Sequence, residues 1–152
     1  SLYDIAQENG YQFAYGVEDY KVKKSSGAEK VILFQEDEAK RNNDLPYVAE
    51  RVEGDLELPQ VVEAAIDFLN NEKGFFLMVE GSMIDDGGHM NKAGHTMEEL
   101  FDFDRTLGVV LEWAEKDGET LVIVTADHAT GGMTLLGGSI AEQNIKVNFS
   151  EG

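Results

Sequence analysis

Apolar positions follow two rhythms along this chain. In three short stretches, KVILFQ (30–35), FFLMV (75–79) and LVIV (121–124), nearly every position is apolar, as in strands covered on both faces. Elsewhere they recur every three to four residues, as on one face of a helix. After Pro59, a residue suited to a first helical turn, Val61, Val62, Ala65, Ile66 and Leu69 share a face, and Asn70-Asn71 through Gly74 end the helix. Thr96-Met97-Glu98-Glu99 has the form of a capping box. It predicts a helix over 97–116 with Leu100, Phe101, Leu107, Val110, Leu111 and Ala114 as its apolar stripe and Asp117-Gly118 as its stop. DIAQENG reads as a helix end, YQFAYG as strand-like, VEDYKVKK as a short helix or turn, and NIKVNFS as a last strand. Residues 36–58, polar and charged, predict an irregular excursion within one domain, and GSMIDDGGHMNKAGH (81–95) a glycine-rich loop.

Helices therefore alternate with strands at 75–80 and 121–126, the pattern of an α/β protein with a mainly parallel sheet flanked by helices. Helix 97–116 is then a right-handed crossover, and both strands end on the same sheet edge, where ligands bind in such folds. The length of 152 residues suits a single domain over 1–152.

Composition narrows the partners. Thirty acidic against twelve basic residues leave a net charge of −18, which excludes a duplex-binding basic face and disfavours nucleic acid and anionic membranes. No apolar run approaches a membrane span, and SLYDIAQENG has no signal-peptide form. Cysteine is absent, so any metal must sit on Asp, Glu and His.

Such residues gather where the two strands should end. Glu80 closes the first, and Asp85 and His89 follow at a spacing of four beside Gly87-Gly88, where the backbone can turn tightly. Asp127-His128 closes the second, where a turn can bring both to one ion or set one to support the other. Singly, each could be a solvated carboxylate or a helix cap; together they point to a divalent-metal site. His95, Asp102 and Asp104 read as surface or supporting groups, Asp86 likewise, and the methionines and Trp113 as packing. No phosphate-binding glycine loop, calcium loop or serine–histidine hydrolase arrangement is present.

At these residues the chain resembles the alkaline phosphatase family, of the bacterial type. GFFLMVEGSMIDDGGHMN (74–91) and LVIVTADHATGG (121–132) are similar to two of that family's motifs, in the same order and with one helix between them. The likeness is strongest over 59–133. It implies a three-layer α/β/α fold, present here as a single partial domain. It also implies a phosphomonoesterase acting through two zinc ions about 4 Å apart and one Mg2+, with phosphate monoesters and phosphate as substrate and product. Residue by residue, Glu80 resembles the magnesium-binding glutamate, Asp85 and His89 ligands of one Zn2+, and Asp127 and His128 ligands of the other. The family's nucleophilic serine follows an aspartate, and this chain has no Asp-Ser dipeptide. The expectation is a C-terminal-half fragment that supplies no catalytic nucleophile and is inactive alone. A further zinc-binding histidine of the family, in a Gly-His-Thr stretch, and its phosphate-clamping arginine have no counterpart here; Arg105 lies on the crossover helix. A periplasmic or secreted location is implied, and an exposed sheet edge allows a homodimer. The alternatives are a non-catalytic divalent-metal-binding or scaffold module, and a related phosphate- or sulfate-ester hydrolase.

Overall fold

Gln12–Tyr15 (β1) and Val31–Phe34 (β2) pair in parallel, with Gln12 opposite Val31 and Tyr15 opposite Phe34, and the helix Gly16–Ser25 (α2) links them. This βαβ unit, in a computed structural model that describes residues 1–36, 46–139 and 141–150, belongs to the first of two compact units, Ser1–Pro46 with Glu50–Val79. The excursion expected over 36–58 lies partly outside the described residues; its later part holds a single 3-10 turn at Val48–Glu50.

Helix α1 (Leu2–Glu8) precedes β1, and the expected stop is present, since the Asn9 N–H reaches Ile5 O at 3.1 Å. Tyr3 on α1 meets Phe13 edge-on at 5.5 Å and Phe34 at 5.8 Å, which ties the helix to both strands. The third helix, α3 (Leu58–Leu69), carries Pro59 in its first turn and is closed by a reciprocal Glu57–Gln60 capping box. Of its expected face Val62 and Ile66 are buried and Val61, Ala65 and Leu69 half-buried, while Ala64, outside that face, is buried as well.

The core joins Ala14 of β1, Tyr20 of α2 and Ala64 of α3, with Val31, Leu33 and Phe68 against them. The Tyr20 hydroxyl donates to Ala64 O and to Asp67 Oδ2, both at 2.9 Å. Burial first, then the Asp67 hydrogen bond, pushes the Tyr20 hydroxyl far above the ordinary tyrosine range. Lys24, 2.5 Å from Asp67, holds that carboxyl below its usual value, with the Tyr20 bond adding to the effect against burial.

The second unit comprises Tyr47–Ala49 and Glu80–Gly152. Helix α4 (Ser82–His89) occupies most of the segment that the sequence predicts as a glycine-rich loop. The glycines still matter, but for packing: Gly87 and Gly88 are buried where other backbone comes close. Helix α5 (Ala93–Asp117) packs on α4 and begins earlier than its capping-box pattern predicts. Thr96 lies inside its first turn and its hydroxyl donates to Lys92 O at 3.1 Å instead of capping. Local sequence cannot separate a cap from a first turn when the preceding residues are also helical. The predicted stop is present: Gly118 adopts φ 75° and its N–H bonds Ala114 O at 2.9 Å. Gly118→Ala should therefore cost about 1 kcal/mol; urea unfolding followed by circular dichroism reads it, and unchanged stability would refute the capping role.

The predicted apolar stripe of α5 is covered in part, with Leu107, Val110 and Ala114 half-buried, but the most deeply buried side chains of the helix are polar. Glu99, Asp102 and Thr106 are buried, while Leu100, Phe101 and Leu111 of the predicted core stripe are exposed. Each buried polar group has a partner, as burial requires. The Val48 N–H donates to Glu99 Oε1 at 2.6 Å, Arg105 pairs with Asp102 at 2.6 Å, and the Thr106 hydroxyl donates to Asp102 O at 2.8 Å. Asp102 is thus a buried structural group and not the solvated one its sequence context suggests, whereas Asp104 is exposed as expected.

Residues 75–80 and 121–126 form no sheet ladder among the described residues, contrary to the strand prediction. Phe76, Met78, Leu121, Ile123 and Val124 are exposed. An apolar run specifies side chains suited to a covered strand; the ladder itself depends on partners about 4.8 Å to either side. The expected last strand is present as β4 (Lys146–Phe149), antiparallel to a strand the sequence analysis does not mark, β3 (Met133–Gly137). Among the described residues no helix is long and apolar enough to cross a membrane.

Candidate metal centre

Helix geometry makes the first pair. Asp85 and His89 are four apart on α4, so their side chains lie over one face. His89 Nε2 stands 3.4 Å from Asp85 Oδ2. The other oxygen, Asp85 Oδ1, is 3.9 Å from His128 Nδ1 and accepts a hydrogen bond from the Thr130 hydroxyl. His128 Nε2 is in turn 3.2 Å from Asp127 Oδ2. Four of the five residues singled out in the sequence therefore form one chain of contacts, His89–Asp85–His128–Asp127. The two imidazoles lie on opposite oxygens of one carboxylate.

Glycine brings the two segments together. A Cβ on Gly88 would stand 2.9 Å from Thr130 O, and a Cβ on Gly131, at φ 70°, would stand 2.5 Å from Gly88 O. The loop after Asp127-His128 is seated directly on the backbone of α4 because neither residue carries a side chain.

Glu80 is exposed, and no hydrogen bond or ion pair joins it to the cluster among the described residues. Asp86, adjacent to Asp85, faces away and accepts from the Tyr47 hydroxyl, whose ring stacks on His95 at 4.4 Å. His95 is a half-buried packing partner inside α5, not a group preceding the helix. Thr130 and Tyr47 carry no obvious signal in the sequence. A hydroxyl two residues beyond a histidine in a glycine-rich turn can, however, reach back to the ring.

The cluster is open, with side chains from 43% exposed at Asp85 to 88% at Asp127. Among the described residues no three acidic or imidazole groups stand together in a geometry that would hold one ion. The pairs themselves suit a divalent ion: ligand atoms about 2.0–2.1 Å from a tetrahedral zinc stand about 3.3–3.4 Å apart. The Asp85–His89 and Asp127–His128 separations of 3.4 and 3.2 Å are close to that edge length. Oxygen and imidazole donors fit zinc, and carboxylate oxygen fits magnesium. Each pair thus offers two ligands, half of a tetrahedral set.

The family model described as alkaline phosphatase matches residues 1–150. Alkaline phosphatase 4 of Bacillus subtilis (strain 168) is 50% identical over 88 residues, 57% of this chain and 19% of that protein. The repressible alkaline phosphatase of Saccharomyces cerevisiae is 37% identical over 142 residues, 87% of this chain and 25% of that protein. The solved alkaline phosphatase of the Antarctic bacterium TAB5 superposes with a TM-score of 0.78 at 34% identity, over 99% of this chain and 43% of that one. The chain thus spans about a fifth to a quarter of these curated relatives. With a family model matched almost from end to end and the α/β fold shared, the chain belongs to the alkaline phosphatase family and carries an incomplete version of its fold.

Proposed function

We propose that this chain carries part of a phosphomonoesterase site that works with two zinc ions and one magnesium ion. Asp85 and His89 would hold one zinc, Asp127 and His128 the other, and Glu80 the magnesium. The observation that carries the reading is the placement of both imidazoles on one carboxylate, with each Asp–His pair at the separation two zinc ligands have. A solved variant of the TAB5 enzyme has Mg bound in its M3 site, in keeping with a magnesium role in the family.

Bound divalent ions would supply the positive charge that holds the oxygens of a phosphate ester, in a protein whose net charge of −18 otherwise repels it. The chain's own residues supply the frame. Helix α4 fixes the Asp85 carboxylate so that one oxygen faces His89 and the other faces the 127–130 loop. His128 presents Nε2 toward Asp127. All four side chains are open to solvent.

The sequence holds no Asp-Ser dipeptide, the form in which the family's nucleophilic serine occurs. Purified chain with p-nitrophenyl phosphate, zinc and magnesium should accordingly release no nitrophenol above the buffer rate. Zinc calorimetry should show weak binding, lowered about tenfold or more by His89→Ala or Asp127→Ala, since even groups that only orient a ligand cost 10–100-fold. Turnover in the assay, or isotherms indifferent to both substitutions, would sink the assignment.

A further inference from the structure

Thr130 touches both halves of the cluster. Its hydroxyl donates to Asp85 Oδ1 and lies 3.1 Å from His128 Nδ1. A threonine hydroxyl has a single proton, and a carboxylate only accepts. With that proton directed at Asp85, the bond to His128 can form only if Nδ1 carries the hydrogen and Thr130 Oγ1 accepts it. The ring's other nitrogen, Nε2, stands 3.2 Å from the Asp127 carboxylate, so His128 is held between Thr130 and Asp127. The same hydroxyl occupies Asp85 Oδ1, which keeps Oδ2 turned toward His89 at 3.4 Å.

We infer that Thr130 is a positioning residue that holds the His128 ring and the Asp85 carboxylate in one relay, and so sets both ligand pairs together. The inference rests on the two-ion reading above for its consequence in metal binding, but the relay itself is a property of the metal-free chain. A histidine that binds a metal through one nitrogen ordinarily donates from the other to a carboxylate, carbonyl or water, which fixes the ring and raises its basicity. Here a hydroxyl takes that place and passes the restraint to a ligand of the neighbouring ion. The close approach of Gly88 and Gly131 places it there: Gly88 would meet Thr130 O at 2.9 Å and Thr130 Cγ2 at 3.2 Å if it bore a Cβ.

Two substitutions separate this role from packing. Thr130→Val keeps the shape and the methyl group near Gly88 but removes the hydroxyl. Thr130→Ser keeps the hydroxyl but removes that methyl. A packing role makes the serine variant the damaged one; the relay makes it the valine variant. Nitrogen-15 NMR of the His128 ring in metal-free protein should give the same Nδ1 shift in the parent chain and in Thr130→Ser. In Thr130→Val the Nδ1 shift should move, because the hydroxyl that meets it is gone. Zinc calorimetry should show affinity reduced about tenfold in Thr130→Val and restored in Thr130→Ser, with unchanged helical circular dichroism in all three. A valine variant with the parental Nδ1 shift and parental zinc affinity overturns the inference, as does a serine variant as impaired as valine. If the parent chain binds zinc and Asp127→Ala weakens it while Thr130→Val does nothing, only the threonine role fails. If the parent chain takes up no zinc but the His128 Nδ1 shift responds to Thr130→Val, the two-ion reading fails and the relay stands.

Discussion

Asp85→Ala should remove measurable zinc binding, a larger loss than any other single substitution in the cluster. Asp85 serves both halves: Oδ2 faces His89, and Oδ1 holds Thr130, which in turn holds His128. Alanine strips one ligand from the first pair and releases the ring of the second. Each pair starts with two ligands where zinc takes four, so no reserve remains to mask the loss. The expected isotherm is flat at zinc concentrations that give clear heat with the parent chain, an affinity reduced about a hundredfold or more, the upper end of what supporting groups alone cost. An isotherm for Asp85→Ala that overlays the one for Asp127→Ala would show that the carboxylate serves one ion only.

Tyr20→Ala should cost about 3–5 kcal/mol, the range for deleting a large buried aromatic. The side chain is 4% exposed, packs on Ala14 and Ala64, and meets Phe68 at a centroid distance of 6.4 Å. Its hydroxyl also fastens α2 to α3 through Ala64 O and Asp67. The loss is comparable with much of the stability of a small domain. Urea unfolding by far-UV circular dichroism should show the transition moving to far lower denaturant. Tyr20→Phe separates the terms and should cost only about 1 kcal/mol, the value of a hydrogen bond. If Tyr20→Ala unfolds at the parental midpoint, the core assignment of the first unit is wrong.

How far the sequence could be read differs from element to element. The helix after Pro59 was legible because proline, a three-to-four-residue apolar period and a polar stop agree with one another, and α3 runs over Leu58–Leu69. The glycine-rich segment 81–95 misled: glycines suggest a loop, yet α4 forms there because Gly87 and Gly88 are needed where Thr96 and Thr130 come close. The stripe on α5 misled in another way. Periodicity marks the apolar positions, and Leu107, Val110 and Ala114 are half-buried as it predicts, but the most deeply buried residues are Glu99, Asp102 and Thr106, each with a hydrogen-bond partner.

At the cluster, residue types and intervals marked Asp85, His89, Asp127 and His128, and the structure draws those four into contact. Glu80, marked on the same grounds, is exposed and makes no hydrogen bond or ion pair with them among the described residues. Thr130 could not be chosen in advance, because its part depends on two glycines far apart in the chain meeting at van der Waals distance.

The sequence alone determined the donor chemistry and the family: oxygen and imidazole groups, no cysteine thiol, and two motifs in a set order, all written in local intervals. Only the tertiary structure decided which side chains of α5 are most deeply buried, that one carboxylate lies between both histidines, and that a threonine hydroxyl joins them. Those arrangements arise from backbone approach and hydrogen-bond pairing between segments remote in sequence, and such contacts have no local signature to read.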